Sequence, residues 1–236
     1  MKPESSLMSV LTEARETLGV SDAALAEASE NPRFSEQVRA RLKVSTQNAL
    51  ANIEVINERA SEARATMGKR LRAVVNSREP VWVRIRKVYA LLDELTAFNE
   101  GHVACRKGCA HCCHVPVAVP QVEAEMIGMA IGRRPKKVAG HRDEGHYASQ
   151  AYGYHTPCPF LKDNQCSIYE HRPLACRKLV NADIDDLLCQ LIEPPGPPVP
   201  YLDYMEFEFA LFALSADKNG VKSADIREYF PPKPPK

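Results

Sequence analysis

From Phe34 onward the apolar positions fall at Val38, Leu42, Ala49, Ile53, Ile56, Ala60, Ala63, Met67, Leu71 and Val74, mostly three or four residues apart. That period is helical, with Arg, Glu, Gln and Asn on the remaining faces. Gly68 weakens the pattern near its end. After Pro80 the spacing resumes at Val81, Ile85, Val88, Leu92 and Leu95. The chain therefore predicts two antiparallel helices joined around Asn76 to Pro80, an αα-hairpin. Core packing accounts for these stripes. A dimerising coiled coil is the sharper alternative, but its seam would carry alanines at 60 and 63, which pack weakly. Upstream, residues 5 to 18 and 21 to 30 read as two short helices, the second capped by Ser21-Asp22. Asn31-Pro32 offers a further helix start. Trp82, the only tryptophan, is explained by core or hairpin packing.

Residues 99 to 192 change character, with frequent Gly, Pro, His and Cys and few long periodicities. One helix is expected from Pro120 through Ile131, burying Val122, Met126, Ile127 and Met129-Ala130 and closed by Gly132. A short helix is expected over Pro173 to Val180, another over Asp183 to Ile192, and loop elsewhere. Glu193 to Pro200 (EPPGPPVP) reads as a stiff connector. A helix from about Asp203 follows, with Tyr204, Phe207, Leu211 and Leu214 on one side and Phe209 and Phe212 widening the apolar surface. It is expected to cap the cysteine segment or pack on the hairpin; a protein partner for its face is the other reading. A last short helix over Ala224 to Phe230 precedes a solvated PPKPPK tail.

The fold class is mainly α: an N-terminal helical hairpin and an irregular cysteine-rich domain with short helices. The expected partition is 1–98 helical, 99–192 cysteine-rich and 193–236 connector and C-terminal helices. At 236 residues there is enough chain to bury a core. A net charge of +1 offers no global field for nucleic acid or an anionic membrane, so neither is expected as a partner. The first twenty residues carry Glu4, Glu13 and Glu16 in place of an apolar signal region, and no stretch is apolar enough to span a bilayer. The chain reads as soluble and cytoplasmic, where cysteines stay reduced.

Reduced thiols give the cysteine pattern its meaning. Seven of the eight cysteines lie between positions 105 and 176. CRKGCAHCC places Cys105, Cys109, Cys112 and Cys113 within nine residues, and Cys158, Cys166 and Cys176 follow. A disulfide framework is the plain alternative, but the adjacent pair Cys112-Cys113 and the absence of an export signal oppose it. Thiolates are metal ligands, and close ones repel until a cation neutralises them. Zinc commonly takes C-x2–4-C pairs, which Cys105/Cys109 and Cys109/Cys112 fit. A loop-rich segment with a thin core also needs another source of stability. Structural zinc supplies roughly 10–16 kcal/mol of apparent binding energy.

Seven thiols exceed one tetrahedral ion. They admit four ligands with spare thiols nearby, two metal sites, or an iron–sulfur cluster. Arg106, Lys107, Arg172, Arg177 and Lys178 flank the cysteines and can offset thiolate charge or simply face solvent. His111 and His114 are conceivable ligands, though each reads better as a surface residue or a supporting one. Cys189 reads as a buried apolar cysteine. The Cys105-Cys109-Cys112 spacing is also that of radical S-adenosylmethionine enzymes. The helices and loops after Cys113 do not match the alternating strands those enzymes use, and no glycine-rich nucleotide loop is present.

The series C-P-F-L at Cys158 to Leu161, C-S-I-Y-E-H-R-P at Cys166 to Pro173, and Cys176-Arg177, after a cluster ending in Cys112-Cys113, is distinctive. It resembles the YkgJ-type cysteine-cluster family, also described as a zinc- or iron-chelating CxxCxxCC domain. The likeness spans roughly residues 101 to 180. One departure is the three residues between Cys105 and Cys109, where the family name implies two. The resemblance implies a zinc- or iron-binding domain, in some members labelled an iron–sulfur protein or oxidoreductase. One branch is associated with lysine methylation of flagellin. The expected function is to hold zinc or iron, an iron–sulfur cluster included, through Cys105, Cys109, Cys112, Cys113, Cys158, Cys166 and Cys176. The alternative is a metal- or iron–sulfur-dependent enzyme, either an oxidoreductase or methylase-like.

Overall fold

The computed structural model describes residues 21–138, 152–190 and 195–231. The helix expected over 5–18, the stretch 191–194 and the tail after Pro231 lie outside the described residues. Helix α1 (Asp22–Ser29) opens with Ser21 Oγ accepting the Ala24 N–H at 3.2 Å. Helix α2 (Glu36–Arg59) is capped in the same way by Ser35 Oγ on the Val38 N–H at 3.3 Å. These side chains satisfy amides that a helix start leaves without partners.

The long stripe does not form one continuous helix. It bends at Ala60 (φ −89°, ψ 2°), and helix α3 runs Ser61–Val75. The backbone ladder continues across the bend, Ala60 N–H to Ile56 O at 2.9 Å and Arg64 N–H to Ala60 O at 2.8 Å. Val38 and Leu42 pack with Leu25, Phe34, Leu188 and Val199, whereas Met67 and Leu71 belong to the main core. The stripe serves both clusters, and the change between them falls within α2, where Ala49, Ile53 and Ile56 already belong to the main core. Helix α4 (Val81–Thr96) completes the expected hairpin with α3, burying Ile85, Val88, Leu91, Leu92 and Leu95. Trp82 is 43 % exposed beneath the Arg86 guanidinium, so it is not a core residue.

Among the described residues, the middle of the chain is organised by three short antiparallel pairs. Strand β1 (Ala118–Pro120) pairs with β6 (Ser223–Asp225), β2 (Leu161–Lys162) with β3 (Gln165–Cys166), and β4 (Val180–Asn181) with β5 (Tyr201–Leu202). Helix α5 (Gln121–Ile131) follows β1 and ends at Gly132 as expected. Its buried face is different, however. Met126 and Ile127 are buried, Met129 is 67 % exposed, and Glu123 is fully buried. Two one-turn helices, α6 (Tyr152–His155) and α7 (Leu174–Lys178), flank the cysteines. The helix expected over 183–192 is, within the described residues, a single 3-10 turn at Leu187–Cys189. Consecutive aspartates explain this. Asn181 and Asp183 side chains accept the amides of Asp183 and Ile184, a local bonding pattern that competes with a helix.

Helix α8 (Met205–Ser215) buries Phe207, Ala210, Leu211 and Leu214 against α3 and α4. Phe209 is 64 % exposed and does not join that face. The last helix, α9 (Ile226–Tyr229), begins directly after β6. The fold is mainly α, and no described helix is long and apolar enough to cross a membrane.

Candidate metal centre

The turn between Cys105 and Cys109 is set by Gly108. The Cys109 N–H bonds to Arg106 O at 3.1 Å, and Gly108 has φ 94°, a region that side-chain-bearing residues avoid. A 3-10 turn over His111–His114 then carries Cys112 and Cys113, with the Cys113 N–H on Ala110 O at 2.9 Å. Cys158 is tied to this turn directly, its N–H bonding Cys113 O at 2.8 Å. Cys166 is brought back by the β2–β3 hairpin, whose two-residue turn places Asp163 and Asn164 at φ 49° and 58°. Asp and Asn tolerate that left-handed turn, which matches strand twist. Cys176 lies in α7, which follows Pro173.

These elements bring Cys109, Cys112, Cys113, Cys158, Cys166 and Cys176 onto one small cavity of about 50 Å³, closed on its apolar side by Val117, Ile168 and Ile226. The neighbours Cys112 and Cys113 both reach it. Cys105 stands outside. It lines an open depression of about 580 Å³ together with Cys109, Cys112 and Cys176. Its sulfur accepts the Asn181 N–H at 3.2 Å, while the Asn181 side chain donates to Cys189 Sγ at 3.2 Å. Cys189 is thus only half apolar in its surroundings. All eight cysteines are free thiols.

The electrostatics of the cavity follow from crowding. The Cys113 thiol is hydrogen-bonded to both Cys112 and Cys158, which pushes its own ionisation far up. The same bond is the leading cause that brings Cys112 down to about 7 and lowers Cys158. Burial first, and then the charges of Cys112, Cys158 and Cys166, push Cys176 well above the ordinary thiol range. Burial likewise raises Cys166 and Cys105. Such a set is stable as thiols only by holding protons. A cation replaces those protons with one stronger interaction. The cavity exceeds the roughly 10–15 Å³ that a single water-sized occupant needs. The donor chemistry and the volume fit a metal, while among the described residues no three of these thiols lie within 4.8 Å of one another.

Of the five flanking basic residues, Arg106, Lys107, Arg177 and Lys178 pair with Asp186, Glu170, Asp93 and Glu208. Arg172 lines both the cavity and the depression, stacked 4.0 Å over Tyr169. Its charge favours the thiolate forms of Cys112, Cys105 and Cys166, as the Arg227 charge favours that of Cys158.

Several supporting residues were not anticipated from the sequence. Arg227 is buried against Asp225 at 3.0 Å and donates to the carbonyls of Cys113 at 3.0 Å and Val115 at 3.2 Å, and also to Thr156 O. One guanidinium thereby holds the Cys113 turn to the segment leading to Cys158. Gly153 packs flat on that turn, where an added Cβ would lie 2.5 Å from His114 O. On the far side, Glu123 accepts the Leu174 N–H at 2.7 Å and the Tyr89 hydroxyl, and burial raises its carboxyl to about 7. Finally Cys109, His111 and Asp186 bring one ligand atom each within 4.8 Å of one another. Among the described residues this is the one group of three or more donors meeting that spacing.

Residues 104–190 match the family model described as "CxxCxxCC: Putative zinc- or iron-chelating domain". This is the family the sequence resembles. The match ends before β6 and α9, so the CxxCxxCC segment of this chain is completed by residues beyond it. No curated protein and no solved structure shows significant similarity to the chain. Zinc or iron chelation is the chemistry of the matched family, and the thiol-lined cavity is suited to it.

Proposed function

We propose that the protein holds zinc or iron through Cys105, Cys109, Cys112, Cys113, Cys158, Cys166 and Cys176, with residues 99–192 as the binding unit and the flanking helices as its support. The observation that carries this reading is the single small cavity lined by six of these thiols, drawn from separate turns and helices. Cys105, at the rim, joins the set through the shared depression. Arg172 offsets the charge that ligation leaves. A reducing cytoplasm is the compartment that keeps such a set available.

A second reading is a metal- or iron–sulfur-dependent enzyme, either an oxidoreductase or methylase-like. It rests on the open depression beside Cys105, Cys109, Cys112 and Cys176, which leaves room for a reactant next to the metal. Iron, zinc and acid-labile sulfide quantified per chain, on protein purified without oxygen, test both. Iron with matching sulfide supports the iron–sulfur enzyme. Zinc without sulfide supports a thiolate zinc site. In either case Cys158→Ser lowers the metal content. Metal at trace level throughout refutes the proposal.

A further inference from the structure

We propose that Cys109, His111 and Asp186 form a second, solvent-open site for a divalent metal of zinc type, sharing the Cys109 thiolate with the cysteine cavity. It rests on the proposed thiolate site only through that shared sulfur.

The geometry suits one ion. His111 Nε2 and Asp186 Oδ2 are 3.6 Å apart, beyond the 2.7–3.2 Å range of an N–H···O bond. Two atoms each about 2.0–2.1 Å from a tetrahedral zinc stand roughly 3.3 Å apart. The pair is therefore spaced as co-ligands rather than as hydrogen-bonding partners. Cys109 Sγ completes the trio within 4.8 Å. Thiolate, imidazole and carboxylate are all zinc donors, and their mixture selects a borderline first-row cation over a hard one such as magnesium.

Each ligand is held by a separate device. Cys109 ends the Gly108 turn, and His111 begins the 3-10 turn. Asp186 sits in a loop that Arg41 fixes through both oxygens of Asp185, at 2.6 and 2.9 Å, and through Asp183 at 3.4 Å. The Asn181 side chain adds a bond to Asp185 O at 3.2 Å. Preformed ligands of this kind lose little entropy when an ion arrives.

The site differs from the cavity in kind. His111 and Asp186 are 35 % and 33 % exposed, and neither lines the thiol cavity. Three protein ligands with a water-accessible fourth position is the arrangement of catalytic zinc, whereas an enclosed thiolate set is that of structural zinc. Arg106 Nη2 contacts Asp186 Oδ2 at 3.2 Å but is 67 % exposed, so a cation displaces it at little cost. A second cation on that sulfur also relieves the negative charge gathered in the cavity.

The test is cobalt(II) titration of the reduced, metal-free full chain, read by metal content and by proton NMR. Two ions per chain are expected, with hyperfine-shifted resonances from the His111 ring. His111→Ala and Asp186→Asn each reduce the count from two to one and leave sulfur-to-cobalt charge transfer in place. Cys158→Ser removes the other ion and keeps the His111 signals. A wild-type chain without shifted His111 resonances, or a count unchanged in both His111→Ala and Asp186→Asn, overturns the second site and leaves the thiolate site standing. Metal that is lost in His111→Ala but retained in Cys158→Ser refutes the thiolate cavity and supports the second site. The wild-type NMR reading does not depend on how any variant folds.

Discussion

The helical hairpin and the cysteine segment are built on opposite terms. In α3, α4 and α8, side chains such as Ile85, Leu92 and Phe207 are fully buried and pack on one another, and each such burial contributes about 1.5–3 kcal/mol. Around the cysteines the apolar cluster of Val119, Phe160, Ile168 and Phe230 is smaller and is threaded with polar anchors. Those anchors are the Asp225–Arg227 pair, buried Glu123 and the shared carbonyl of Cys113. The hairpin carries its stability in itself. The cysteine segment has a shape held by directional bonds around a set of thiols that favours a cation. A region of the first kind tolerates ligand loss, and one of the second kind does not.

The sharpest way to break this comparison is to remove metal. Chelation is expected to strip hydrogen-exchange protection from 109–117 and 158–168 while α4 keeps its own, the lost term being up to roughly 10–16 kcal/mol for a structural zinc. Unfolding of both regions together would show that the metal supports the whole core. Next in size is Asp225→Ala. It leaves the Arg227 charge buried without its carboxylate and is expected to cost about 3–5 kcal/mol in urea denaturation. A cost below about 1 kcal/mol would mean that the pair does not hold the Cys113 turn.

Glu123 sharpens the comparison through pH. Its carboxyl binds a proton more tightly in the folded chain, at about 7, than in the unfolded one, at 4.5. Its contribution to stability is therefore fully present below pH 4.5 and is lost as pH rises through 7. The loss is about 3 kcal/mol, at roughly 1.36 kcal/mol per pH unit between the two values. The difference in unfolding free energy between metal-free wild type and Glu123→Gln isolates this term from the thiols. A difference that is flat from pH 4 to 8 would refute it. Smallest is Ser35→Ala, which removes the α2 cap and is expected to cost about 1 kcal/mol without changing metal content. A change in metal content would mean that the two regions are coupled more tightly than their packing implies.

Much of the helical frame was legible from spacing alone. The stripe from Val38 to Val74 and the face from Val81 to Leu95 are buried largely as the period requires. The bend at Ala60 was not legible, because alanine is a strong helix former and nothing local marks it. The β2–β3 hairpin did carry a signal, the Asp163-Asn164 pair between Leu161 and Cys166, which the density of cysteines obscured. Asp186 had no recognisable ligand spacing from Cys109, since only folding brings them together. Arg227 and Asp225 lie far along the chain in a segment without cysteines, and nothing local ties them to Cys113.

The sequence by itself determined the helical frame, the cysteine segment and its family resemblance, because periodicity and short motifs are local and survive without a fold. Tertiary structure alone decided that six thiols share one cavity while Cys105 sits at its rim. It also decided that Glu123 is buried, and that a C-terminal strand and Arg227 complete the site. The physical reason is that these facts depend on long-range pairing, β1 with β6 and Arg227 with the Cys113 carbonyl, and on desolvation, and neither is encoded at any single position.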